Sequence, residues 1–236
     1  MFPRIKINEL IKIDLDGGYL IDGFPSMGFS SAIATESMIQ TSQFELAGVI
    51  DSESFPPISI VKNGKPNFPT RIFINKNLKL AVFLSYLTID QSLQRITAKT
   101  MLKWAKKHNI GLIVSSVAVK SLNDEEMIGI GSTNTARTKI KEAGLKVLEN
   151  GTIPGIPGML LNEGSISNQD VIVIIFHSDG TGPDFKSSAD LCVAMSKLIP
   201  GALCDISSLQ KEAEKAEMLI KEAQIESKNL KDTMYQ

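Results

Sequence analysis

Apolar residues along the chain fall into two alternating patterns. Short, nearly continuous apolar runs are those expected of strands covered on both faces. They occur at Lys79–Leu84, Ile110–Val119 and Val171–Phe176. Between them lie segments whose apolar positions recur at three- and four-residue steps, as in helices with one buried face. The clearest spans Asp90 to about His108, with Leu93, Ile96, Thr100, Leu102, Trp104 and Ala105 among its partners and Asn109 and Gly111 closing it. Further helices are predicted over Ser30–Gln40, Asn134–Ala143, Gly158 to about Asn162, and from an Asp184 cap to Leu198. Strands are predicted at Gly18–Asp22, Phe44–Ile50 and Glu126–Gly131. The Asn63-Gly64 pair marks a hairpin joining strands at Ile58–Val61 and Arg71–Ile74. Strand and helix in alternation imply a three-layer α/β sandwich with a central, mostly parallel sheet.

The last thirty residues follow a different pattern. No Gly or Pro interrupts the chain after Ala202. Leu209, Ala213, Ala216, Ile220, Ala223, Ser227, Leu230 and Met234 fall at alternating steps of four and three, a heptad seam weakened by alanine and serine. Ser207 with Gln210 reads as a capping box, and Glu217 with Lys221 as a favourable pair one turn apart. The expectation is one α/β domain over 1–204, then a long C-terminal helical arm over 205–236 with a free tail. From Ser207 to Leu230 the helix would reach roughly 35 Å.

Composition narrows the function. The chain has 236 residues, 43% hydrophobic and 22% charged, with formal net charge −1. A near-neutral chain carries no electrostatic footprint for a nucleic-acid backbone. No apolar run approaches a membrane span. The N-terminus lacks the apolar stretch of a secretory signal, so a cytoplasmic location is expected. The two cysteines, Cys192 and Cys204, match no zinc spacing and are expected as free thiols in a reducing cytosol.

Each candidate catalytic motif fails on chemistry. The Gly23-Phe24-Pro25-Ser26-Met27-Gly28 turn after a strand has half the spacing of a phosphate-binding loop, but Phe29 stands where its lysine belongs. Ser26 is not in a G-x-S-x-G elbow. Gly129 and Gly131 lack the third glycine of a dinucleotide fingerprint. His177-Ser178-Asp179 holds the residue types of a hydrolytic triad, but neighbours on an extended strand point to opposite faces. His108, the other histidine, falls at a helix end, where its charge suits the helix dipole. The Gly151–Gly158 stretch could let backbone approach a ligand, or only make a rigid bend. No catalytic residue, cofactor or metal ligand is assigned. The alternative kept open is a small-molecule enzyme with its site at the two Gly-rich loops and the strand end near His177.

Several stretches, in order along the chain, together resemble the proteasome-assembly-chaperone family as found in archaea. They are the Gly23–Gly28 turn, Asp51–Pro57, Gly64 with Pro69–Phe73, Trp104-Ala105-Lys106, Gly151–Leu161 and Pro183-Asp184-Phe185. The resemblance implies a three-layer α/β fold, a homo-oligomer, and an ATP-independent binding protein rather than an enzyme. It also implies a partner. Several archaeal members of this kind end in hydrophobic-Tyr-any residue, a tail that docks between α-subunits of the proteasome core particle. Met234-Tyr235-Gln236 matches it residue by residue. By that resemblance Met234 would fill an apolar groove, Tyr235 would bring a ring and a hydroxyl, and Gln236 would carry the terminal carboxylate. The protein would act in α-ring assembly or as a gate-opening activator.

Overall fold

The computed structural model describes residues 4–62, 64–120, 127–180 and 182–211. Among them, nine strands form one sheet in the order β1-β3-β6-β7-β2-β8-β11-β9-β10. These are β1 (Ile5–Glu9), β2 (Tyr19–Gly23), β3 (Glu45–Ser52), β6 (Thr70–Asn75), β7 (Leu80–Ser85), β8 (Leu112–Val119), β9 (Ile128–Gly131), β10 (Lys146–Val147) and β11 (Asp170–His177). Two short strands, β4 (Ile60–Lys62) and β5 (Lys65–Asn67), pair only with each other. The helices are α1 (Ser30–Thr41), α2 (Gln91–Lys107), α3 (Asn134–Glu142), α4 (Gly155–Ser167) and α5 (Phe185–Leu198).

The three layers follow from alternation along the central strands. Leu20, Ile113, Val171 and Val173 face one way and join Leu93, Met101, Leu102 and Leu160 of α2 and α4. Ile21, Leu112, Val114, Ile172 and Ile174 face the other way and join Met38, Ile140, Leu191 and Met195 of α1, α3 and α5. Both faces are therefore buried, which is why these strands read as unbroken apolar runs. At about 25 cal/mol per Å² of apolar surface removed from water, this double burial is the main stabilising term.

The sheet is mixed, where a mostly parallel one was expected. The centre is parallel, β7 with β2, β2 with β8, and β8 with β11. One flank is antiparallel from β7 through β6 and β3 to β1, and β9 runs against β11. The reason is local. A parallel pair needs a crossover of a dozen or more residues, whereas β6 and β7 are joined directly through Lys76–Lys79, with Lys79 at φ 49°.

Other boundaries also move. Gly64 does turn a hairpin at φ 71°, but its arms are β4 and β5, while the Arg71–Ile74 stretch enters the main sheet as part of β6. Helix α4 begins three residues earlier than its sequence suggests and runs to Ser167, capped by Asn168 in the left-handed region at φ 54°. Pro157 fits in its first turn, where no intrahelical donor is required. Gly158 is needed there, because a Cβ would lie 2.0 Å from the Ile153 carbonyl oxygen. Strand β1 has no counterpart among the predicted elements.

Residues 206–211 are helical, and Leu209 is buried in the α1/α5 core. Asp205, not Ser207, caps them, its Oδ1 accepting from the Ser208 amide at 3.0 Å. That hydrogen bond and the Ser207 hydroxyl hold the Asp205 carboxyl below its ordinary range. The remainder of the expected C-terminal helix lies outside the described residues.

Candidate functional site

The loops gather at the carboxyl ends of β2, β8 and β11, where α/β folds place their ligand sites. Asp22, at the end of β2, begins the first turn. Its Oδ1 accepts from the Phe24 amide at 3.1 Å and its Oδ2 from the Ser115 hydroxyl at 2.6 Å. The residue is only 3% exposed. Burial pushes its carboxyl up to about 6, against the pull of those two hydrogen bonds.

Beyond Asp22 the turn is shaped by close approach. Gly28 sits at φ 68°, where a Cβ would lie 2.7 Å from Ser178 Oγ, and Phe29 follows at φ 55°. A bulky residue in the left-handed region is uncommon and strained. Here the Gly28 carbonyl oxygen accepts from the Asp184 amide at 2.8 Å, which fixes the turn against the start of α5. The turn's own amides are turned inward. Phe29 N donates to Ser26 O at 3.0 Å and Ser31 N to Ser26 Oγ at 3.3 Å. A hydroxyl chain continues from Ser26 to Ser31 at 2.8 Å and to Ser116 at 2.7 Å.

This turn and the Gly-rich entry of α4 meet across a cleft of about 470 Å³, whose walls include Asp22, Ser26, Gln94, Ser116, Pro154 and Ile156. Two of the three segments singled out in the sequence are thus brought together. The third is not. His177 is absent from the cleft, its side chain 44% exposed, with Nε2 3.4 Å from Asp179 Oδ1. Ser178 turns the other way, its hydroxyl donating to Asp184 Oδ2 at 2.7 Å. Among the described residues Asp22 is the one ionisable side chain lining the cleft, and no lysine or arginine among them lines it to meet a phosphate. His108 lies elsewhere, 2.8 Å from Glu9 Oε1 at the end of α2. Among the described residues no group of three or more His, Cys, Asp or Glu is placed to hold a metal ion.

A second, larger concavity of about 880 Å³ runs beside α1, its walls including Phe29, Ile33, Tyr86, Phe185, Ser208 and Leu209. Phe29 is 45% exposed on this face. Burial, with the Glu36 carboxylate beside it, pushes the Tyr86 phenol well up. The described chain reaches its last turn here.

The expected free thiols are not found. Cys192 of α5 and Cys204 are joined in a disulfide, with Cα atoms 6.1 Å apart. The reason is topological: α5 ends at Leu198, Gly201 takes φ 85°, and the returning strand of chain brings Cys204 back onto α5. The Asp205 amide then donates to Ser37 Oγ of α1 at 3.3 Å. The helix, the Pro200-Gly201 turn and the short spacing were the sequence signal for this bond. Met234, Tyr235 and Gln236 lie outside the described residues.

Fold and loops define a three-layer α/β/α sandwich with its loop cluster at the carboxyl end of a parallel core. The chain belongs to the PAC2 family, whose model matches residues 20–224. In structure it is similar to Pyrococcus furiosus PbaA, described as an archaeal homolog of proteasome-assembly chaperone, at TM-score 0.83 and 24% identity over 97% of this chain and 95% of that one. It is also similar to Pyrococcus furiosus PbaB, described as an archaeal proteasome activator, at TM-score 0.77 and 17% identity over 93% and 98% of the two chains. In sequence it is similar to an uncharacterized protein of Methanocaldococcus jannaschii, 24% identical over 222 residues, 94% of this chain and 92% of that one. The family resemblance drawn from the sequence motifs is thereby met.

Proposed function

We propose that this protein is an ATP-independent, homo-oligomeric, cytoplasmic binding protein that acts on the proteasome core particle, as an assembly chaperone or as an activator. The observation that carries the reading is the match of fold over nearly the whole of both chains to PbaA and PbaB, together with membership of the PAC2 family. The working part is the arm from residue 205, which would dock Met234-Tyr235-Gln236 between α-subunits of the core particle. Met234 supplies an adaptable apolar side chain, Tyr235 an aromatic ring with a hydrogen-bonding hydroxyl, and Gln236 its terminal carboxylate. Three residues bind weakly alone. Several arms on one oligomer gain 10²- to 10⁴-fold when geometry lets them engage together.

The upstream chemistry supports a binding role over an enzymatic one. Among the described residues the cleft holds one carboxyl, already engaged by Ser115 and Phe24, and His177 lies outside it.

The test compares the intact protein with one lacking Met234–Gln236 for binding to purified core particle and to the isolated α-ring. Loss of binding on truncation is the expected result. Equal binding by both, or by neither, refutes tail docking. A rise in peptide hydrolysis by preassembled core particle would assign activation, and faster α-ring formation without it would assign assembly.

A further inference from the structure

The disulfide lies at the point from which the C-terminal segment departs. Cys192 is 1% exposed on α5, within the core shared by α1 and α5. Cys204 is partly exposed and packs against the same core from the connection that follows Gly201. Both sulfurs lie 3.5 Å from the Ala34 carbonyl oxygen of α1. Beyond the bond, residues 205–211 are attached to the body by one amide-to-hydroxyl hydrogen bond from Asp205 to Ser37, the burial of Leu209 and the packing of half-buried Ile206 against the same core. Every other side chain from Asp205 to Lys211 is exposed or half-buried.

We propose that the Cys192–Cys204 bond is a redox latch that fixes the root of the C-terminal segment on the α1/α5 face, and that a dithiol releases it. The body of the fold does not depend on this bond, since its strands are held by their own ladders and two buried cores. The root does depend on it. The bond closes a loop over a sequence separation of 12, and a loop of that size restricts an opened chain by about a hundredfold in conformational freedom.

The chemistry is ordinary thiol–disulfide exchange with a defined direction. A dithiol thiolate attacks the Sγ of Cys204, the more exposed of the two residues, forming a mixed disulfide there as the Cys192–Cys204 bond breaks. Cys192 leaves as a thiolate and takes up a proton. In the thiol form its S–H can donate to the Ala34 carbonyl oxygen, which keeps it seated in the core. The second thiol of the reductant then displaces Cys204, which is protonated in turn. Two electrons and two protons pass to the protein, and the dithiol becomes a disulfide.

Dithiothreitol is the probe. Purified protein is alkylated after denaturation, with and without prior reduction, and hydrogen exchange is followed in both forms. The expected result is no alkylated cysteine without reductant and two with it. Exchange over residues 203–211 should rise at least tenfold on reduction, with the amides of β8 and β11 unchanged. A Cys192→Ser/Cys204→Ser variant should show the fast root exchange without reductant. Alkylatable thiols in unreduced protein, or root exchange that reduction leaves unchanged, would overturn the latch.

The consequence for docking rests on the proposed function. Fixed roots hold several arms in register for one ring, so reduction should weaken core-particle binding at least tenfold. Equal binding in both redox states would refute that consequence alone. No binding in either state, with exchange still redox-dependent, would refute the proposed function and leave the latch standing.

Discussion

Replacing Asp22 by asparagine should stabilise the protein at neutral pH. Its carboxyl is raised from an ordinary 3.8 to about 6 because burial opposes the charged form more strongly than Ser115 and Phe24 favour it. Between those values the folded state binds a proton that the unfolded state has released. Stability attributable to Asp22 is therefore full below about pH 4 and declines through pH 6, then stays low. A shift of this size at 1.36 kcal/mol per unit corresponds to about 3 kcal/mol as an upper figure. Asparagine keeps an oxygen for the Phe24 amide, and its amide group can donate to Ser115 Oγ, so the turn is preserved. For a chain of this length each kcal/mol moves Tm by about 2–4 °C, which places the variant at most roughly 6–12 °C higher at pH 7.5. The assay is thermal unfolding of both proteins from pH 4 to 8, read as the difference between them so that other carboxylates cancel. The difference should be near zero at pH 4 and grow to a plateau above pH 6. An equal or lower Tm for the variant at pH 7.5, or a difference independent of pH, would refute the argument.

Two further substitutions test how the frame around the site is fastened. Glu9 of β1 accepts from Trp104 Nε1 at 2.9 Å and from Lys107 Nζ at 2.7 Å, and lies 2.8 Å from His108 Nε2. Burial alone would raise its carboxyl, but the bonds and charges of Lys107 and His108 outweigh it and hold it low. Its contribution is thus present above the ordinary glutamate range and lost as pH falls through the lowered value. Glu9→Gln should cost about 1–2 kcal/mol at pH 7, less than a fully buried charge pair because Lys107 is exposed. Followed by the fluorescence of the single tryptophan, acid unfolding of the variant should lack that step. Asp184 caps α5 through the Ser187 amide at 2.9 Å and accepts from the buried Ser178 hydroxyl. Asp184→Ala removes both and should cost about 2–3 kcal/mol in urea unfolding.

What could be read from the sequence was what depends on near neighbours. The Val171–Phe176 run became the heart of β11, and Asp90 capped α2 through the Ser92 amide at 2.8 Å. Elements set by partners distant in the chain were less legible. Strand β1 alternates half-buried and exposed residues over a few positions, and becomes a strand by pairing with β3 some forty residues later. The direction of β6 follows from the short connection to β7, not from its composition. The site was half legible. Glycine and proline density marked the two loops that line the cleft. Asp22 and Ser115 are unremarkable letters in apolar runs, and only the parallel pairing of β2 with β8 brings them together. Cys204 pairs with Cys192 because the chain turns back at Gly201.

The two borders of the nine-stranded sheet are unequal. On one side it stops at β10, a mere two residues long, so scarcely any main-chain donor or acceptor is left for a neighbour to use. On the other it stops at β1, five residues with Lys6 and Asn8 directed to water and Glu9 tied to the end of α2. Among the described residues β1 is the longer of the two borders, and there a lysine discourages continuation of the sheet into another molecule. An edge guarded in this way resists the strand-by-strand addition that builds open-ended fibres.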